Sequence, residues 1–145
     1  MAVDRGLVIK EIFEQLTATA AVTALLGNPP RIYLRPPETA VFPWVRMDCT
    51  AAPYLTGYLG GNVNPKWIRQ LSVTFVAFDL TTGILTVTAI QKAIADVMDR
   101  FPGIATITNC KLGQCLPGTE TADYDPETRT AYAVLEYTMS MEDTT

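Results

Sequence analysis

Residues 67–101, WIRQLSVTFVAFDLTTGILTVTAIQKAIADVMDRF, predict one long strand, a tight turn and one amphipathic helix. Apolar and polar side chains alternate along the strand, which is typical of a strand with one buried face. The predicted buried face carries Leu71, Val73, Phe75 and Ala77. The alternation fails after Thr74, because Val76, Phe78 and Leu80 are apolar on the face that should contact water. We therefore expect another segment or a partner to cover this end of the strand.

The helix that follows has an apolar stripe at helical spacing. The stripe consists of Val87, Ile90, Ile94, Val97, Met98 and Phe101, whereas Gln91, Lys92, Asp96, Asp99 and Arg100 are expected to face solvent. Either Thr81 or Thr82 is expected to cap its first turn, and Pro102 with Gly103 to end it. A strand and a helix with matched apolar faces should pack on each other, and the remaining segments should build onto this unit.

The other segments complete the predicted fold. Residues 3–17 predict a first helix, and Thr19 is the expected N-cap of a short second helix that ends at Gly27. Further strands are predicted at residues 31–34, 44–50, 104–110 and 129–141, the first of them at a sheet edge. Residues 111–123 read as a loop, and residues 124–128 as a tight turn. This order predicts an α+β fold, with a mostly antiparallel sheet and two main helices on one face.

Residues 51–66, AAPYLTGYLGGNVNPK, predict an extended loop or hairpin arm on a single domain that spans residues 1–145. Prolines and glycines exclude a regular helix here, yet the segment is too apolar for a loop in water. It is either a hairpin extension folded over its own sheet or an arm that packs on another subunit. The second interpretation gives a hypothetical interface made of Tyr54, Leu55, Tyr58, Leu59, Trp67, Val76, Phe78, Tyr132 and Val134.

The composition argues against several classes of function. The net charge of −4 disfavours binding of nucleic acid through a basic surface. The chain has no histidine, which removes Ser-His-Asp and Cys-His nucleophilic schemes. No apolar run approaches the length that spans a bilayer, and the first residues lack a signal-peptide core. We therefore expect an intracellular, soluble protein that is not an enzyme and has no catalytic residues.

Metal and cofactor sites are not predicted either. A closed zinc site needs four ligands, and the chain offers three cysteines and no histidine. The acids Asp123, Asp125 and Glu127 share one loop but do not match a calcium-loop spacing, so a solvated turn is the favoured interpretation. A disulfide between Cys110 and Cys115 is geometrically possible but unexpected in a reducing cytosol. We expect Cys49, Cys110 and Cys115 to be buried or half-buried thiols.

The order and spacing of these segments resemble those of a known family. The opening IFEQLTATAAVTALLGNPPRIYLRPPETAVFPWVRMD, the strand RQLSVTFVAFD, the helix ILTVTAIQKAIADVMDRF and the closing YDPETRTAYAVLEYTM look like the tail-completion, or tail-terminator, family of long-tailed phages. The resemblance covers nearly the whole chain, and it implies a structural role without catalysis.

The resemblance implies a ring, usually a hexamer, on the head-proximal end of the tail tube. Such a ring ends polymerisation of the tube protein and offers a surface to the head-closure or connector protein, and DNA passes through its hole without sequence-specific binding. The location would be the tail or neck of the virion, and the host cytoplasm during assembly. The hypothetical interface above would then contact a neighbouring subunit or the tube. Two alternatives are another head–tail connector, such as a stopper protein, and a small-ligand-binding α+β domain.

Overall fold

The computed structural model describes residues 5–51, 68–80, 83–104, 107, 110–113 and 115–143. The first half contains helices α1 (Arg5–Thr17) and α2 (Ala20–Leu26), then strands β1 (Ile32–Tyr33), β2 (Trp44–Ala51) and β3 (Ile68–Leu80). The second half contains α3 (Ile84–Met98), the single turn α4 (Phe101–Ile104), and strands β4 (Cys110–Leu112), β5 (Leu116–Asp125) and β6 (Thr130–Asp143). The predicted α+β class is confirmed.

The strands form one six-stranded sheet around the long central pair β3 and β6. Strand β2 pairs with the other side of β3, and the short β1 lies outside β2 at the sheet edge. The second side of β6 pairs with β5 along its first part and with β4 at its end. Only the β1–β2 pair is parallel among these pairs, so the sheet is mostly antiparallel, as predicted.

The core lies between one face of the sheet and the helices. Strands β3 and β6 bury alternate residues, which are Leu71, Val73, Phe75, Ala77, Ala131, Ala133, Leu135, Tyr137, Met139 and Met141. Helix α3 buries the whole predicted stripe, namely Val87, Ile90, Ile94, Val97 and Met98, and Phe101 of α4 is buried with it. The alternation and the helical spacing therefore predicted the buried faces of this central unit correctly.

Gln91 was predicted to face solvent, and this prediction is wrong. Its side chain is only 7% exposed. Its Nε2 donates hydrogen bonds to the carbonyl oxygen of Val134 at 2.7 Å and to that of Thr121 at 3.1 Å. A buried amide is tolerated when both of its protons find acceptors, so Gln91 fastens α3 to strands β5 and β6.

Helix ends also differ from the predictions. Thr19 occupies the N-cap position of α2, but its hydroxyl donates to the carbonyl oxygen of Gln15 at 2.8 Å and does not cap the helix. The N-cap of α3 is Gly83 and not a threonine. Helix α3 ends at Met98, before Pro102, which lies inside α4. Gly27 does end α2, with a φ of 87° that favours glycine.

The prediction for the region between α3 and β6 is partly wrong. Residues 104–110 were predicted as a strand, but residue 104 ends α4 and residue 110 begins strand β4, and residues 105, 106, 108 and 109 lie outside the described residues. Residues 111–123 were predicted as a loop, yet most of them belong to β4 and β5. Strand β5 contains a proline, a glycine and several acids, which have low strand propensity. The free side of β6 supplies the hydrogen-bonding partner that overrides this local preference.

Cys49 and Cys110 are half-buried and Cys115 is buried, as predicted, and none of the three is in a disulfide. Burial raises the pKa of the Cys49 thiol from 9.0 to about 11, and the nearby Arg5 acts in the opposite direction. Burial also raises the pKa of Cys115 to about 11, and the Asp99 carboxylate adds to this rise. The pKa of the Tyr137 hydroxyl is raised by burial and by Asp99. No helix within the described ranges combines the length and apolarity that a membrane span requires.

These raised pKa values predict a loss of stability in alkali. Between pH 9.0 and about 11 the unfolded chain loses thiol protons that the folded chain keeps, so the free energy of unfolding should fall as the pH rises. Urea unfolding at about pH 8 and about pH 10.5 measures this fall. The C49A/C115A variant has lost both thiols and should lose less stability between the two pH values. An equal loss of stability in the variant and the wild type would show that these two thiols do not cause the loss.

Candidate assembly interface

The outer face of the sheet, opposite the helices, has an apolar end and a polar end. Its polar end carries short side chains such as Thr50, Ser72 and Thr138, which are neighbours across strands β2, β3 and β6. Its apolar end lies near the turn that connects β5 to β6. We call the apolar set the outer-face patch, and it consists of Trp44, Val76, Phe78, Tyr132 and Val134.

Strand register brings the members of the outer-face patch side by side. Phe78 lies between Trp44 on β2 and Tyr132 on β6, as the direct cross-strand partner of both. Two residues away on each strand, Val76 is the cross-strand partner of Val134 on the same face. The rings of Trp44 and Phe78 stack with their centroids 4.6 Å apart and an interplanar angle of 30°. Such aromatic and β-branched pairs stabilise the sheet, and they also make a continuous apolar surface.

The aromatic cluster extends from the outer-face patch toward the β1 edge. The ring of Tyr33 lies 6.2 Å from that of Trp44, and the ring of Phe42 lies 6.5 Å from it. The Trp44 indole nitrogen is buried and has no hydrogen-bond partner among the described residues. Trp44 therefore contributes to this surface mainly through its apolar ring.

A shallow depression of about 290 Å³ lies over the aromatic part of the patch. Four of its lining residues are aromatic, and the other three are polar and belong to the β5–β6 turn or to the strand ends beside it. The lining residues are Phe42, Trp44, Phe78, Asp125, Thr128, Thr130 and Tyr132. Aromatic anchors with polar residues beside them are typical of a protein–protein contact site.

The sheet residues predicted as an interface are only half-buried in the isolated chain. These are Val76, Phe78, Tyr132 and Val134. The strand register places their side chains on one face and at one end of the sheet, and their role in binding stays a prediction. The other predicted members, Tyr54, Leu55, Tyr58, Leu59 and Trp67, lie outside the described residues, as does the arm at residues 52–66.

Sequence reasoning missed Trp44 as a member of this surface. The alternation along β2 places Trp44 on the same face as the polar residues Arg46 and Asp48, so the pattern of this strand alone does not indicate an apolar surface. Arg46 Nε and Asp48 Oδ2 form an ion pair of 3.3 Å beside the patch, with both side chains about half exposed. The cross-strand pairing with Phe78 identifies Trp44 as a patch residue, and this pairing depends on the register.

The acids near the patch organise the turn. Asp125 Oδ1 accepts the backbone N–H of Glu127 at 2.9 Å, and Asp123 Oδ1 accepts that of Tyr124 at 2.8 Å. Within the described part of the chain, no three possible metal-ligating side chains come together.

One protein family has a sequence model that matches nearly the whole length of the chain. The model of the family described as "Tail completion protein gp17" matches residues 10–142. The chain belongs to this family. Tail completion proteins are structural proteins of the phage virion and not a class of enzyme, so the chain is a structural protein of a phage-type tail. The resemblance described in the sequence analysis is thereby confirmed.

A solved structure has the same fold. The chain is similar to a protein of the "virion of native gene transfer agent (GTA) particle", with a TM-score of 0.71 and 14% sequence identity. The similarity covers 94% of this chain and 96% of the other. At this identity the likeness concerns the fold. No curated protein sequence matches the chain significantly.

Proposed function

We propose that this tail completion protein is a tail terminator. It closes into a homo-oligomeric ring, a hexamer by analogy with the family, on the head-proximal end of the tail tube. The ring ends polymerisation of the tube protein and presents a surface to the head-closure protein, and DNA passes through its hole during ejection. The protein assembles in the host cytoplasm and remains in the neck of the virion.

The outer-face patch is the observation that carries this proposal. A structural protein of a tail acts through contacts with other subunits, and such contacts are built from aromatic anchors that become buried on assembly. Stacked Trp44 and Phe78, flanked by Tyr132, have this character on a face that the helices leave free. The apolar segment at residues 54–59 is a second contact element, proposed from its sequence.

Electron microscopy of the purified protein, alone and mixed with tubes grown from the tube protein of the same tail, tests the proposal. We expect rings alone or on tubes, one ring at one tube end, and arrested growth at that end. Tubes that grow equally with and without the protein would overturn the terminator role. Binding to the head connector but not to tubes would support the alternative, a stopper or head-closure protein.

A further inference from the structure

Outside the outer-face patch, the two edges of the sheet have different surfaces: one is an exposed strand, and the other contains a groove. Strand β5 forms one edge, and every residue from Leu116 to Tyr124 is exposed although the strand is 10 residues long. Three of its side chains, Glu120, Ala122 and Tyr124, pair with buried residues of β6 and so lie on the helix side of the sheet. Helix α3 reaches β5 through Gln91 and leaves these three side chains uncovered.

The opposite edge of the sheet contains an apolar groove of about 590 Å³. The groove lies between α1 and β1, also on the helix side of the sheet. Its apolar lining comes from Ile9, Phe13, Ile32, Leu34 and Met47, and its charged lining from Lys10, Glu14 and Arg35. Leu34 is 48% exposed at this groove. An apolar groove of this kind is completed when a partner fills it.

The two edges are complementary in charge. Strand β5 carries no basic residue, and its acid on the helix side is Glu120, whereas Asp123 pairs with Tyr132 and lies on the outer face. The groove carries two basic residues against one acid, and Lys10 Nζ lies 3.8 Å from Glu14 Oε1 in an exposed ion pair. Arg35 adds an exposed positive charge on the β1 side of the groove. Opposite charges on two edges of one molecule favour association of like copies edge to edge.

We propose that strand β5 of one copy lies against the α1–β1 groove of a second copy. Tyr124 enters the apolar groove, and Glu120 faces Lys10 and Arg35 of the neighbour. This contact joins two different surfaces, so it repeats from copy to copy and closes into a ring when the rotation between copies allows it. The inference rests on the proposed ring, and it leaves the outer-face patch free to contact the tube.

A charge exchange between the two edges tests the contact. The E120K variant places a basic side chain on the helix side of β5, and the K10E/R35E variant has an acidic groove. Each variant alone brings like charges together, so we expect assembly about tenfold or more weaker than in the wild type. A mixture of the two variants places opposite charges at every contact of an alternating ring, so we expect rings to return. Native mass spectrometry and light scattering measure both results.

Matched controls separate this contact from a general charge effect. D96K and K92E make similar changes on the exposed side of α3 and should leave assembly unchanged. Tyr124→Ser should weaken ring formation, whereas Leu116→Ser, which removes an exposed apolar side chain on the other face of β5, should not. Circular dichroism and thermal melting confirm that each variant is folded.

Two results would overturn the inference while the proposed function stands. Rings of normal stability from both charge variants would show that β5 is an edge strand protected by its own acids. Loss of rings in both variants without recovery in the mixture would show that the two edges do not meet. A wild-type protein that stays monomeric with and without tubes would instead overturn the ring itself, and this contact with it.

Discussion

The variant Phe78→Asp is expected to fold and to lose assembly. Phe78 is at the centre of the outer-face patch, stacked on Trp44 and paired with Tyr132. A carboxylate at this position stays hydrated in the isolated chain, but burial in a contact without a partner costs about 2–3 kcal/mol or more. We therefore expect binding to tubes, or ring formation if the patch joins subunits, to weaken about 100-fold.

Two residues of the same strand provide controls for this substitution. Ser72→Asp introduces the same charge on the same face of β3 but at its polar end, and it should leave assembly intact. Phe75 points to the opposite face and is 1% exposed, so Phe75→Ala should cost about 3–5 kcal/mol of the free energy of unfolding. Phe78→Ala should cost clearly less. Assembly is measured by sedimentation with tubes and stability by urea unfolding.

One outcome would contradict a role of Phe78 in assembly. If Phe78→Asp destabilised the monomer as much as Phe75→Ala does, and assembly were lost only with folding, Phe78 would belong to the core. The outer-face patch would then be a stabilising feature of the sheet, and the tube contact would have to be sought on the helices or the sheet edges.

Replacement of residues 54–64 by a short Gly-Ser linker is expected to leave a folded chain that does not cap tubes. Strands β2 and β3 remain paired from Trp44–Phe78 to Ala51–Leu71, and a shorter connection between them costs little loop entropy. The melting temperature should therefore stay near that of the wild type. The apolar residues of the segment would be lost, so we expect stable rings or tube capping to disappear and tubes to grow to irregular lengths.

A full-length control separates the length of this segment from its chemistry. The variant Y54S/L55S/Y58S/L59S keeps every backbone position and removes four apolar side chains. It should fail to cap tubes as the shortened variant does, because apolar anchors supply most of the contact free energy. Normal tube lengths with both variants, measured by electron microscopy, would show that the segment is dispensable and that the sheet and helices supply the contacts.

Local patterns predicted the buried faces of β3, β6 and α3 well. Each of these elements packs against one core, so its buried residues recur at a constant spacing along the sequence. The alternation in β3 and β6 identified their buried faces, and the helical stripe identified that of α3. The same reasoning failed at Gln91, because it assigned the residue by polarity although its position lies beside Ile90 and Ile94. Hydrogen bonds to Thr121 and Val134 offset the burial of its amide, and the sequence near Gln91 does not contain these acceptors.

Patterns in the amino-acid sequence were sufficient to predict the α+β class, the two main helices, the buried faces of the central strands and the membership of a tail completion family. They also showed that Val76, Phe78, Tyr132 and Val134 interrupt polar faces. The fold was needed to show that these residues share one surface with Trp44, because strand register depends on pairing between distant segments. Pairing also decided that residues 116–125 form a strand, since the hydrogen bonds that stabilise β5 come from β6 and not from its own sequence.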